Sequence, residues 1–204
     1  KGYEKPLLAF GQRKHTTVED VHGDDGMGNS YFDKANQRPE AGHAVDFIID
    51  TVKQNPGNIS LLAIAPLTNI AQAIQKDPSI KKDIEHIYIM GGTNNALGNI
   101  LQTSGSQFFI DINHVVKQFN KNVHRLAGTT HPDTLLMSVA ADIGVMTKAT
   151  PYYVDIETKG EITRGYSMVD INNRSGNKPN VLVCEEVDRE KFKADLMGVL
   201  ASIK

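Results

Sequence analysis

Residues 59–90 limit the possible folds more than any other part of the chain. Residues 59–65 are a continuous apolar run of strand length, Pro66 opens a helix through Gln75, and residues 86–90 are a second apolar run. A strand, a helix and a strand in this order form a βαβ unit, whose two strands are parallel. The pattern therefore predicts an α/β fold with an open, mostly parallel central sheet flanked by helices.

The rest of the chain continues this alternation of helices and strands. Apolar residues at helical spacing predict helices over residues 39–54, 109–123, 133–141 and 188–203. Short apolar runs predict strands over residues 152–156 and 181–184, and irregular chain is expected over residues 94–105. The last helix should bury one face, made of Phe192, Leu196, Val199 and Leu200.

Composition excludes several classes of partner. The chain of 204 residues has a formal net charge of −2 and no long charged run, so neither a nucleic acid nor an anionic membrane is expected. Its apolar runs are shorter than the roughly 18 residues that a membrane helix needs, and residues 1–6 contain no hydrophobic signal segment. Cys184 is the only cysteine, which excludes an intrachain disulfide and favours a reducing compartment, the cytoplasm.

Candidate functional residues fall in three segments, each where a strand should end or a helix begin. They are residues 22–26 (His-Gly-Asp-Asp-Gly), residues 64–69 (Ile-Ala-Pro-Leu-Thr-Asn) and residues 129–133 (Thr-Thr-His-Pro-Asp). Open parallel sheets bind their ligands at such positions. We therefore expect the three segments to meet at one site.

Each polar residue of these segments allows a structural and a functional interpretation. Asp133 is either the N-cap of the following helix or an oxygen ligand of a hard cation such as calcium. His131 is either a surface residue or a general acid. His22 either contacts a ligand or hydrogen-bonds its own loop, and Asp24 and Asp25 either bind a metal or are solvated.

Other catalytic signatures are missing from the sequence. It has no Gly-x-Ser-x-Gly nucleophile motif, no Walker-type phosphate loop and no cysteine cluster for zinc. The residue patterns alone thus predict an α/β domain with carboxylates in its loops, and they do not identify a substrate.

Five segments, in order, resemble motifs of the inosine–uridine-preferring nucleoside hydrolase family. They are His22-Gly23-Asp24-Asp25-Gly26-Met27-Gly28, Ala65-Pro66-Leu67-Thr68-Asn69-Ile70-Ala71, Ile89-Met90-Gly91-Gly92, Asp133 with Asp142, and Thr163-Arg164-Gly165 with Asp170. The resemblance implies a Rossmann-like nucleoside hydrolase fold. It also implies an enzyme that hydrolyses the N-glycosidic bond of ribonucleosides, commonly as a homodimer or homotetramer.

The resemblance further implies a calcium site and roles for individual residues. Asp133 would bind Ca²⁺ through its carboxylate and Ile64 through its carbonyl oxygen. The ion would bind the ribose hydroxyls and acidify a water that attacks the anomeric carbon. His22 would contact the base, His131 is the candidate acid for the leaving base, and Asn99 and Asp133 would bind the ribose.

Two departures from the family pattern affect the expected activity. The N-terminal Asp-x-Asp-x-x-x-Asp-Asp cluster, which supplies the general base and further calcium ligands, has no counterpart. The segment that normally follows Gly98-Asn99 and holds the ribose is absent, because Ile100 runs directly into Leu101. We therefore expect one nucleoside hydrolase domain over residues 1–204 that is incomplete at its N-terminus and between residues 100 and 101. The alternative is an inactive nucleoside- or calcium-binding module derived from the same fold.

Overall fold

The computed structural model describes residues 18–33, 41–90, 96–97, 109–125, 129–161 and 166–202. Its α-helices are α1 (Val18–His22), α2 (Ala44–Gln54), α3 (Thr68–Lys76), α4 (His114–Phe119), α5 (Pro132–Ala141) and α6 (Arg189–Ser202). Its strands are β1 (Ile59–Ala63), β2 (Ile84–Ile89), β3 (Ala96–Leu97), β4 (Thr129–Thr130), β5 (Met146–Tyr152), β6 (Val154–Ile156), β7 (Ser167–Val169) and β8 (Val181–Val187). Short 3-10 segments follow α3 and α5, over Pro78–Lys82 and Ile143–Val145.

The predicted βαβ unit is present. Strands β1 and β2 pair in parallel, from Ile59 opposite Ile84 to Ala63 opposite Ile89, and α3 connects them. Helix α2 packs beside α3 around a core of buried residues: Val45, Ile49, Val52, Ala73 and Ile80. The α/β class is confirmed, and β1 and β2 form a two-stranded parallel sheet.

The second half of the described chain pairs its strands in antiparallel fashion. β3 pairs with β4, β5 with β8, and β6 with β7. A second core cluster of Val139, Val145 and Phe192 joins α5 and α6 to this half. Among the described strands, parallel pairing is therefore limited to β1 and β2.

Burial differs from expectation at two places. An apolar strand in a sheet flanked by helices should be buried, yet Ile87 and Ile89 of β2 remain 39% and 50% exposed. Val199 was expected on the core face of α6 and is 60% exposed. Phe192, Leu196 and Leu200 recur every four residues and form the core face, whereas Val199 lies beside it.

The element boundaries differ from the predicted ones for local reasons. Helix α2 begins at Ala44 because the His43 side chain caps it, accepting a hydrogen bond from the Val45 N–H. The helix predicted over residues 109–123 is interrupted by a turn at Asn113 and ends in a π-helical turn, Asn120–His124. In the described part of the chain, no helix is long and apolar enough to cross a membrane.

The first core cluster allows a small, well-defined stability test. Ile80 is fully buried, so Ile80→Val removes one methylene and leaves a void. Urea unfolding should show a loss of about 1 kcal/mol. Ile143→Val, at a side chain that is 59% exposed, should change the free energy of unfolding by less than about 0.5 kcal/mol. Equal losses in the two variants would contradict the packing described here.

Candidate functional site

The glycine-rich loop, residues 22–31, is held in shape by one carboxylate. Asp25 Oδ1 accepts hydrogen bonds from the N–H groups of Met27 and Asn29, at 2.7 and 2.8 Å. Its Oδ2 accepts from the Tyr31 N–H at 2.7 Å. Burial raises the pKa of this carboxyl, but the backbone hydrogen bonds outweigh that effect and leave the pKa lowered. Asp25 is therefore charged and orders the loop in which His22 lies.

The loop rests directly on another segment of the chain at Gly28. This residue is buried with φ +72°, and a Cβ there would meet the carbonyl oxygens of Asp111 and Ile112, the latter at 2.7 Å. The Gly28 N–H donates to the His22 carbonyl at 2.8 Å and closes the loop. Glycine is required at this position for both its conformation and its lack of a side chain. The loop thus packs directly against the helical turn of residues 109–112.

His131 occupies the N-cap position of α5 and is almost completely buried. It is 8% exposed, and its ring lies against Phe109 with centroids 4.9 Å apart. Burial lowers the pKa of His131 to about 4. Its imidazole is therefore neutral at physiological pH, which leaves a ring N–H as a hydrogen-bond donor. Its assignment as the acid for the leaving base stays a prediction, but the neutral ring could only donate a hydrogen bond to that base and could not transfer a proton to it.

Protein stability should fall in mild acid because of His131. The unfolded histidine titrates near 6.5 and the folded one near 4, so the unfolded state binds more protons between these values and gains stability as pH falls. Between pH 7 and 5 the free energy of unfolding should drop by about 2 kcal/mol from this group. His131→Leu should abolish that part of the pH dependence. Parallel stability curves for the two proteins between pH 7 and 5 would refute the burial effect.

Asp133 lies in the first turn of α5, at the second helical residue. The N-cap alternative is wrong, because His131 occupies that position. Burial raises the pKa of the Asp133 carboxyl, and the charge of His22 partly opposes this rise. Two motifs that are distant in sequence, the glycine-rich loop and the start of α5, therefore come close enough for their charged groups to interact.

Ile64 is the first residue beyond β1, at the carboxyl end of the parallel pair, and its side chain is 50% exposed. Helix α5 contacts both β1 and β2. Leu135, in the first turn of α5, and Tyr88, near the end of β2, pack against the same core cluster. Helix α5 thus packs against both parallel strands, while the role of Ile64 as a carbonyl ligand stays a prediction.

Several predicted site features receive no support from the described residues. Asn99 and the Thr163-Arg164-Gly165 segment lie outside them. Within the described ranges, no group of three or more His, Cys, Asp or Glu side chains is placed to hold a metal ion. Asp170 accepts hydrogen bonds from the N–H groups of Arg174 and Ser175 and organises its own turn.

The sequence did not reveal two structural features of the site. Phe109 was assigned to the apolar face of a helix, and its contact with His131 could not be read from spacing. Gly28 belonged to a recognised motif, yet the segment on which it packs was unknown. Both contacts join segments far apart in sequence, which local patterns do not encode.

Comparison with known proteins indicates the family to which the chain belongs. The family model described as inosine-uridine preferring nucleoside hydrolase matches residues 1–112 and, in a second match, residues 101–194. An uncharacterized protein of Schizosaccharomyces pombe is 28% identical over 242 positions, which include 94% of this chain and 76% of that protein. A pyrimidine-specific ribonucleoside hydrolase, RihB of Escherichia coli, is 33% identical over 54% of this chain and 34% of its own length.

Solved structures share the fold. A plant nucleoside hydrolase superposes with a TM-score of 0.77 and 22% identity, covering 93% of this chain and 76% of that one. A purine-preferring ribonucleoside hydrolase from Gardnerella vaginalis gives a TM-score of 0.73 and 23% identity, covering 90% and 74%. The fold, the motifs and these relatives define a hydrolase that acts on N-glycosyl bonds. The chain belongs to the inosine-uridine preferring nucleoside hydrolase family.

Proposed function

We propose that the protein is a calcium-dependent nucleoside N-ribohydrolase, which releases base and ribose from purine and/or pyrimidine ribonucleosides in nucleoside salvage. The carrying observation is that His22 and Asp133, from two motifs far apart in the sequence, are near enough for the His22 ring, when protonated, to lower the pKa of the Asp133 carboxyl. A nucleoside consists of a sugar and a base. The carboxylate would bind the sugar, and the imidazole would contact the base. They meet at a helix start beside the parallel strands, a usual ligand position in this class of fold.

The chemistry of the proposed metal donors fits calcium, although their number is incomplete. Asp133 and the Ile64 carbonyl are oxygen donors, and Ca²⁺ takes roughly six to eight oxygens. Burial penalises the Asp133 carboxylate, and a bound cation would compensate that penalty. When bound, the ion would supply Lewis acidity toward a water molecule. The remaining ligands and the general base would have to come from residues other than these two.

Different residues of the chain would bind different parts of the substrate. His22 would contact the base, and Asn99 and Asp133 would bind the ribose. His131 would donate a hydrogen bond from its neutral ring to the leaving base, because its buried position disfavours the charged form. Asp25 would support this step indirectly by ordering the loop that carries His22.

The incomplete ligand set agrees with our proposal that residues 1–204 are one domain lacking segments at the N-terminus and between residues 100 and 101. The alignment with the Schizosaccharomyces pombe protein runs over 242 positions, more than the 204 residues of this chain. The Schizosaccharomyces pombe protein therefore has residues without a counterpart in this chain. The two overlapping matches of the family model also divide the chain near residues 101–112. We further propose a cytoplasmic homodimer or homotetramer.

Calcium removal tests the proposed activity directly. The complete protein should release ribose from inosine, adenosine or uridine in the presence of Ca²⁺. A calcium chelator should abolish the release, and excess Ca²⁺ should restore it, because the bound ion would supply the Lewis acidity that the reaction needs. No release from any of the three nucleosides with Ca²⁺ present would refute the proposal.

An inactive nucleoside- or calcium-binding module is the second candidate, because the sequence has no counterpart of the Asp cluster that supplies the general base. The intact mass of the purified protein distinguishes the two. A mass of 22.4 kDa with no upstream Asp cluster would favour the module. A substantially larger mass, with that cluster present, would favour the enzyme.

A further inference from the structure

The buried rings of Phe109 and His131 contact each other at the candidate site. The ring centroids of Phe109 and His131 are 4.9 Å apart, and the ring planes are inclined by 41°. Each residue is 8% exposed. Rings at this separation and tilt attract each other, and the geometry restricts how either ring can rotate. Phe109 therefore fixes one face of the imidazole.

The turn that carries Phe109 contacts the glycine-rich loop as well. Gly28 packs on the carbonyl groups of Asp111 and Ile112, which follow Phe109 in the same helical turn. That turn thus supports His131 through a side chain and the loop of His22 through its backbone. A shift of the turn would move both imidazoles, which are the proposed contacts of the leaving base.

We propose that Phe109 is a positioning residue, whose ring holds the His131 imidazole in the orientation needed to meet the leaving base. In this role Phe109 would act through its contact with His131 and not by binding the sugar or the base itself. The proposal rests on the function proposed above, since it assumes that His131 faces a substrate. Misplacement of a catalytic group by about 1 Å can cost on the order of 100-fold in rate, so loss of this packing should be visible in kcat.

Substitution at Phe109 should lower kcat and leave KM nearly unchanged in the complete, calcium-loaded protein. Phe109→Leu keeps an apolar side chain but removes the ring, and kcat should fall at least about tenfold with KM within about twofold. Phe109→Tyr restores the ring face and should recover most of kcat. Val116→Ala is the matched control, because Val116 is also buried, at 7% exposure, on the adjoining helix. It should lower the melting temperature and leave kcat within about twofold.

A spectroscopic measurement tests the positioning without relying on activity. The ring protons of His131 should be shifted in the NMR spectrum by the Phe109 ring current, and Phe109→Leu should remove that shift while Val116→Ala should not. An unchanged His131 signal in Phe109→Leu, or an equal loss of kcat in Val116→Ala, would overturn the proposal. If the wild-type protein released no ribose, the proposed function would fail, and the NMR comparison would still decide whether Phe109 orients His131.

Discussion

Asp133→Asn should lower kcat/KM for ribose release by about 1000-fold, equivalent to about 4 kcal/mol of transition-state stabilisation. The substitution keeps the size of the side chain and removes its negative charge. The Asp133 carboxyl is the group on which the proposed calcium site and the ribose contact both depend. Burial raises its pKa more than His22 lowers it, so the surroundings disfavour the charged form, and a bound cation would offset that cost.

The same variant should bind calcium weakly. Titration calorimetry should show at least a tenfold loss of Ca²⁺ affinity, because a neutral amide is a poorer ligand for a hard cation than a carboxylate. Added Ca²⁺ should raise the melting temperature of the wild-type protein and have little effect on the variant.

A matched control lies at the other end of the same helix. Asp142 follows the last residue of α5 and pairs with Lys191 at 2.6 Å, away from the proposed site. Asp142→Asn should leave kcat/KM within about twofold, since exposed ion pairs contribute little. A loss in Asp142→Asn as large as that in Asp133→Asn would show that α5 as a whole, rather than the Asp133 carboxylate, is responsible.

The sequence predicts the βαβ unit well because its signals are local. Two apolar runs of strand length and the proline between them can each be recognised from neighbouring residues alone. Parallel pairing then follows from the helical connection between the strands. The antiparallel pairing of β5 with β8 has no such signal, because it joins segments separated by a long intervening stretch.

The sequence proposes candidate site residues but does not predict how they are arranged. Motif order places His22 and Asp133 among the functional residues, and the structure adds that they interact electrostatically. Spacing left His131 open as a surface residue or an acid, whereas its burial against Phe109 determines its charge state. Burial of a polar side chain depends on residues from elsewhere in the chain, which local patterns do not specify.

Gly28→Ala should destabilise the protein by at least about 4 kcal/mol and remove its activity. Gly28 has φ +72°, a conformation that costs a residue with a Cβ roughly 1–2 kcal/mol. The added methyl group would also overlap the carbonyl oxygens of Asp111 and Ile112, the latter at 2.7 Å. Backbone atoms cannot rotate away as a flexible side chain does, so the loop would have to leave the helical turn beneath it.

Gly26 provides a control in the same loop that separates the two effects. Its φ is +71°, nearly that of Gly28, and a Cβ there would have nothing within 4 Å. Gly26→Ala should therefore cost only the conformational term of roughly 1–2 kcal/mol and retain most of the activity. Urea unfolding of both variants measures the difference, which isolates the close approach of the loop to residues 109–112. Equal destabilisation would mean that the loop is not docked there, and the shared support of His22 and His131 by this turn would have to be abandoned.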